Sequence, residues 1–496
     1  MPRALKIRRL LPWAAGLLLA AVVVLLFFRL TMAGLMVNLL LKSSGASQVN
    51  FNVVRASPWQ VVVDDLSFSV RTQAFAAKRV TVDRRSWWMP SLGAVRVEQA
   101  SVPLTIDGSD TNPWSWASYQ NGGAVQPWQA PLDELSVDGQ LVVKAAALPD
   151  QVLEVKFAAR QSAQKTWEGI VRADGPGLSL RGEGSYDPGR DDLAFKVPAA
   201  ELDLKVWQDF VRRLVLLPGG AWELEGRFTG QAEGRLAGKK LTTTGSVRLR
   251  DGRAKNAALA VTAEGIEAGL EFTDLAGLVS QPGAVRVREL RAGQLALREV
   301  DAGLALGGPD KITVQRASFQ TLGGAVAVEP FNYFPSQREA ELVVLVDGID
   351  IAAVLALTQD LPARATGRVN GRFPLRIDAG GLRLGTGWLQ LKPGVYAEMQ
   401  FDATGLLTRG ASASSPGYAV LKKVESGLLK LKITEMRLDI RPPNAPPGRS
   451  ATLHIAGEPV DPDVKAPVVL DLNVNGPLEK LLNLGLDSRV SFGSKP

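Results

Sequence analysis

From Val49 onward most of the chain alternates apolar and polar residues, and this alternation restricts the fold more than any other feature. Side chains two apart share a face of a β-strand, so such runs predict strands with one apolar and one polar side. Clear examples are VNFNVV at 49–54, AVRVEQ at 94–99, GSVRLRDGRA at 245–254, AVRVRELRAGQLALREV at 284–300 and GLRLGTGWLQLKPG at 381–394. Asp-Gly, Gly-Gly and Pro-Gly pairs at 107–108, 138–139, 251–252, 347–348, 380–381 and 393–394 predict hairpin turns, because such pairs accept positive φ. At about 13 residues per strand and turn, the chain beyond its first forty residues holds roughly 28 strands. The expected fold is mainly β: an elongated, twisted antiparallel sheet forming an open groove, with a few short helices and one N-terminal transmembrane helix.

Three helices break the strand pattern. Segment 201–219 groups Trp207, Phe210, Val211 and Leu214 on one face and stops at Pro218-Gly219; segment 347–362 starts after Asp350 and groups Ile351, Val354 and Leu355. Segment 475–486 has Pro477 in its first turn and an apolar face of Leu478, Leu481 and Leu482. The first two share an order that predicts an internal repeat: an LDL or IDI triplet, a helix ending at proline, then GRFTG at 226–230 or GRVNG at 367–371.

The first forty residues set the location. Arg3, Lys6, Arg8 and Arg9 precede nineteen uncharged residues, 10–28, among them Leu10, Trp13, Leu18, Val23 and Phe28. That length suits a membrane-crossing helix, and the flanking cations predict a cytoplasmic N-terminus. A cleaved signal peptide is the competing reading, but its apolar core runs about 7 to 15 residues, which favours a retained anchor. The chain is then a single-pass inner-membrane protein whose bulk is periplasmic.

Composition narrows the chemistry. With no cysteine and one histidine, His454, the chain lacks thiol chemistry and most metal or acid-base sites, so no cofactor and no metal are expected. A net charge of +7, four cations of which flank the apolar run, gives no concentrated basic patch for nucleic acid. The chain carries no phosphate-binding loop, no HExxH and no G-x-S-x-G, and its paired acids, Asp64-Asp65 and Asp191-Asp192, read as solvated turns. The expectation is a protein that is not an enzyme.

A one-faced sheet must bury its apolar side against something. Three short helices do not cover some 28 strands, so either the sheet packs on itself as a closed core or its apolar face stays open for an extended apolar ligand. Beside a membrane that ligand is an acyl chain: a tail of 16 carbons in water costs about 12 kcal/mol at about 0.8 kcal/mol per methylene.

The run ATGRVNGRFPLRIDAGGLRLGTGWLQLKPGVYAEMQF at 365–401 resembles the C-terminal region of YdbH-like proteins. It carries their glycine pair, Pro-Leu strand, Gly-Gly turn, strand with an internal glycine and Pro-Gly turn at Gly367, Gly371, Pro374, Leu375, Gly380, Gly381, Gly387, Pro393 and Gly394. The stretch HIAGEPVDPD followed by APVVLDLNVNGPLEKLL at 466–482 is similar to that family's last strand and helix. The helix followed by G-R-x-x-G resembles units of the wider AsmA-like superfamily. The resemblance implies a repeating β-groove that conducts phospholipids between inner and outer membranes. It also implies a small outer-membrane lipoprotein that adds strands at the C-terminal sheet edge. The rival reading is an envelope-assembly scaffold with a closed core.

The domain reading is an anchor at 1–42, an N-terminal groove region at 43–200, an AsmA-like repeat at 201–346 and a YdbH-like region at 347–496. Candidate groove residues are Val247 and Leu249 together with Leu384, Trp388 and Leu391. Strict alternation turns Trp388 inward with Leu384, whereas a bulge near Gly385 or Gly387 turns Leu389 and Leu391 inward instead. The tryptophan-rich segments at 86–93, 111–119 and 126–128 serve either as a lipid entry at the membrane or as a cap on the core. The edge near Val468 to Val474 is either free for a partner or covered by the last helix.

Overall fold

The computed structural model describes residues 46–474 apart from short stretches, the longest of them 107–131, and most positions between 30 and 42. The expected anchor residues Leu10, Trp13, Leu18, Val23 and Phe28, most of the tryptophan-rich segments and the helix at 475–486 lie outside the described residues. Among those described, no helix is long and apolar enough to cross a membrane. All 27 described strands belong to one hydrogen-bonded sheet. The chain divides into two compact units, Met1–Leu214 with Thr229–Thr243, and Val215–Phe228 with Thr244–Pro496.

The first unit holds β1 (Ala46–Ala56), β2 (Gln60–Val70), β3 (Gln73–Arg84), β4 (Leu92–Ile106), β5 (Leu132–Ala145), β6 (Gln151–Gln161), β7 (Trp167–Gly175), β8 (Leu178–Asp187) and β9 (Asp192–Asp203). Helix α1 (Leu204–Leu214) follows, and β10 (Glu223–Ala237) and β11 (Lys240–Asn256) contribute residues to both units. From β1 to β9 neighbouring strands pair antiparallel except β4 and β5, which are parallel. This departs from the expected all-antiparallel sheet. The intervening residues 107–131 are long enough for the chain to return and start β5 at the same end, which a tight hairpin cannot do.

The second unit continues with β12 (Val261–Asp274), β13 (Val279–Ser280), β14 (Gly283–Ala292), β15 (Leu295–Leu306), β16 (Ile312–Thr321), β17 (Gly324–Val328), β18 (Phe331–Phe334) and β19 (Glu339–Asp350). Helix α2 (Ile351–Leu355) leads to β20 (Ala363–Thr366), β21 (Arg368–Asp378), β22 (Gly381–Leu384), β23 (Gly387–Leu391) and β24 (Ala397–Phe401). Helix α3 (Tyr418–Leu429), β25 (Lys430–Ile440), β26 (Ala451–Pro459) and β27 (Val468–Val474) complete the described chain. The strand pattern did not announce α3. The expected second helix shrinks to five residues, with Ile351 buried and Leu355 packed beside it but Val354 exposed.

The repeat has a structural basis. Asp203 and Asp350 each end a strand and accept a hydrogen bond from the backbone N–H two residues on, Lys205 and Ala352, both at 2.9 Å. Such caps satisfy a free N–H of the first turn. Further on, the first glycine of each G-R-x-x-G takes a backbone closed to L side chains, with φ of 136° at Gly226 and 124° at Gly367. A β-carbon on Gly367 would sit 2.7 Å from that of Ala397, and one on Gly226 would sit 3.0 Å from Leu249. Helix α2 is six residues shorter than α1, and the spacing from capping aspartate to glycine shortens by the same amount.

Inside the strands a second motif recurs. Asp65, Gln99, Asp251, Gly265, Glu299 and Gly348 all have positive φ. Each stands third in a tetrad that is apolar, charged, positive-φ and apolar or small: VDDL at 63–66, VEQA at 97–100, LRDG at 249–252, AEGI at 263–266, LREV at 297–300 and VDGI at 346–349. Asp65 and Gln99 lie on opposite sides of the same residue of β3, Lys78, and Gly265 and Glu299 flank Arg288 of β14 in the same way. Against its other neighbouring strand each tetrad shifts the register by one residue, a bulge that lets a strand bend while both flanking residues keep the same face. Asp251-Gly252 and Gly348 therefore sit inside strands and not at the expected turns, and Asp138-Gly139 likewise lies within β5 beside a register shift. Positive φ serves a bulge as well as it serves a hairpin.

Replacing Gly367 with alanine is expected to destabilise the second unit by roughly 1 to 3 kcal/mol, and Asp350→Ala by about 1 kcal/mol. Chemical denaturation of the two variants against the parent checks both.

Candidate functional site

The pairing registers sort the side chains of each strand onto two faces. In the first unit one row across β5 to β8 reads Val137, Phe157, Val171 and Gly182, and a second across β6 to β9 reads Val155, Ala173, Leu180 and Ala200. The alternate row on the other face, Lys156, Arg172 and Arg181, is charged. In the second unit Val247 pairs with Leu270 and Leu249 with Ala268, while Val285 faces Ala302 and Val287 faces Val300. Each unit therefore carries an aliphatic face.

Ion pairs occupy the opposite face. The Arg79 guanidinium grips Asp64 with two donors, at 2.8 and 3.0 Å, and holds its carboxyl below the usual range; Arg235 does the same to Asp192. Arg376 donates to Glu339 at 2.8 Å, and Lys392 to Asp347 at 2.8 Å. Exposed pairs of this kind contribute little energy each, but they make that face unsuited to contact with apolar material.

The apolar face differs along the second unit. Across β11 to β15 Val247, Leu249, Leu270, Val285, Val287 and Val300 are only half-buried, while Ala263 and Phe272 on the same face are buried. Across β17 to β26 it closes into a packed core in which Ile433, Ala397 and Ile455 are buried, Ile455 to 1% exposure. Helix α2 contributes Ile351 to that core. In the first unit α1 seats Trp207 and Phe210 on Val143 and Leu153, and the Trp207 indole N–H donates to the Pro176 carbonyl at 2.9 Å. Away from α1, residues Val155, Phe157, Val171, Ala173 and Leu180 stay half-exposed. The described helical positions between 30 and 42 meet the same sheet at β1, where Gly34 approaches Phe51 and Val53.

The candidate groove residues fall into two sets. Val247 and Leu249 lie on the half-open stretch. Leu384, 5% exposed, pairs with Leu375, and Leu391 pairs with Val369, so both lie on the inner face where it is packed. Trp388 pairs with Arg372 and Asp439 and faces the other way. Residues 385–386, between β22 and β23, break the alternation, which is the bulged alternative of the sequence. His454, also on the outer face, has Nδ1 2.7 Å from Asp471 Oδ1, and this hydrogen bond raises its pKa above the ordinary value.

Leu384→Ala is expected to cost about 2 to 5 kcal/mol of stability, whereas Val247→Ala costs less because its side chain already meets solvent. Thermal and chemical denaturation check the difference. A raised histidine pKa stabilises the fold below the unfolded value near 6.5, and that contribution disappears as pH rises through the folded value. Asp471→Asn should therefore lower stability at pH 5 and leave it unchanged at pH 9. The lone His454 resonance in an NMR titration should move to a lower pKa in the same variant.

A sequence model of the YdbH-like family, described as intermembrane phospholipid transport protein YdbH, matches residues 29–394. No curated protein sequence and no solved structure matches the chain. The match takes in the N-terminal region ahead of the runs that carry the resemblance in the sequence. It contains residues 365–394 of the first resembling run and ends before the stretch at 466–482. With most of its length matched, the chain belongs to the YdbH-like family of intermembrane phospholipid transport proteins, consistent with the AsmA-like superfamily.

Proposed function

We propose that the chain is an inner-membrane-anchored periplasmic conduit that carries phospholipid acyl chains along the half-open apolar face while the headgroup stays in solvent. The observation that carries this reading is the row of half-buried aliphatic side chains across β5 to β9 in one unit and β11 to β15 in the other. A contiguous apolar surface larger than a few hundred Å² is rare on a protein without a ligand for it. Residues 10–28 serve as the anchor. The regions 43–200, 201–346 and 347–496 serve as an N-terminal groove, an AsmA-like repeat and a C-terminal region. Among the described residues β27 pairs only with β26, and its other edge is the place for a small outer-membrane lipoprotein to add a strand.

A second reading, the closed-core scaffold, draws on the packed side chains around Ile433 and Ile455. The two readings part at β11. A photocrosslinking residue placed in the full-length protein at Val247 or Leu249 is expected to give lipid adducts in membranes, and one at Arg248 to give few. Equal labelling at the three positions, or none, favours the scaffold.

A further inference from the structure

Helix α3 exposes residues 419–423 near its start, with Tyr418 half-buried before them. The helix packs against β24 and β25, and in its later half Gly427 lies against the Val464 side chain, between β26 and β27, and Glu425 is buried. The Glu425 carboxylate is held by the backbone N–H and the hydroxyl of Thr408, at 3.0 and 2.8 Å. The earlier half is exposed all round: Ala419, Val420, Leu421, Lys422 and Lys423, with Val420 at 64%. The lead-in residues Ser412, Ala413, Ser414, Pro416 and Gly417 are exposed too. Burial on one side of a helix is the rule in a packed domain, so Val420 and Leu421, exposed within a run of five residues that goes once round the helix, are not explained by packing among the described residues.

Charge points to the occupant. The exposed turns carry two lysines and no acid, and the one acid of the helix is turned inward and bonded. Lysines beside valine, leucine and tyrosine match an interface where cations meet phosphates and short apolar side chains enter the acyl boundary. An acidic protein would answer the lysines but not the exposed valine and leucine.

We propose that residues 418–423 of α3 form a contact site for an anionic lipid surface. The site rests on the exposure and charge of α3 and not on the apolar sheet face, so it stands or falls separately from the conduit.

The native chain has no cysteine, which allows a single probe. Val420→Cys, labelled with an environment-sensitive nitrobenzoxadiazole dye, is prepared in the full chain held in phosphatidylcholine nanodiscs, with Gln337→Cys as an exposed control. Adding vesicles containing phosphatidylglycerol should raise and blue-shift emission at position 420 and leave position 337 unchanged. Pure phosphatidylcholine vesicles should do neither. Lys422→Gln with Lys423→Gln should weaken the apparent vesicle affinity about 30-fold, the loss of two cations at an anionic surface. The variant's melting temperature should not change, because both side chains are exposed. No response at 420, an equal response to phosphatidylcholine alone, or an undiminished response without the lysines overturns the proposal. So does a response to an acidic protein in place of vesicles.

Discussion

Everything in this molecule depends on how backbone hydrogen bonds and side-chain parity combine. Each strand spends its N–H and C=O groups on its neighbours, and the pleat sends alternate side chains to opposite faces. Because the alternation is apolar against charged for hundreds of residues, the result is a sheet with one oily and one ionic side. An ordinary domain hides the oily side under a second layer. Here α1 covers it over Val143 and Leu153 in the first unit and α2 joins the packed core around Ile433 in the second, and elsewhere each unit keeps side chains of that face half-buried.

The tetrads with positive φ reconcile bending with that parity. A strand that bends without a bulge would keep its alternation and carry its apolar set straight on, whereas the residue inserted against β1 or against β11 lets Val63 and Leu66, or Ala263 and Ile266, face the same way although they are three apart. A charged residue and an Asp, Gln, Glu or Gly fill the two intervening places, where the chain points outward or takes a left-handed turn. The glycines that open the G-R-x-x-G units do related work after each helix.

The chemistry of the site is correspondingly plain. Membership in a family described as intermembrane phospholipid transport proteins implies a task that depends on apolar surface and exclusion of water. The residues that would attract attention in an enzyme, His454 and the paired acids, lie in ion pairs or hydrogen bonds on the outer face: His454 with Asp471, Asp64 with Arg79 and Asp192 with Arg235. They serve the solvated side of the sheet.

Strand identity, the start of α2 after Asp350, the helix-to-glycine repeat and the family were legible in the sequence, because each depends on local periodicity, capping or glycine spacing. Helix α3 was not, since residues 419–423 stay exposed among the described residues and the helix lacks a clear apolar stripe. The parallel pairing of β4 and β5 was not either, because pairing direction is set by where a long connection returns. The two faces of each strand could be read, but which residues share a face across a bulge could not: the Asp-Gly pairs at 251 and 347 look like turns until their neighbours supply a partner strand on both sides. Trp388 is the sharpest case. By itself the sequence determined that its strand is one-faced and that a glycine nearby permits a bulge; only the register with β21 and β25 decided that the tryptophan turns toward Arg372 and Asp439. Hydrogen bonding to both neighbours fixes parity, and those neighbours are distant in the chain.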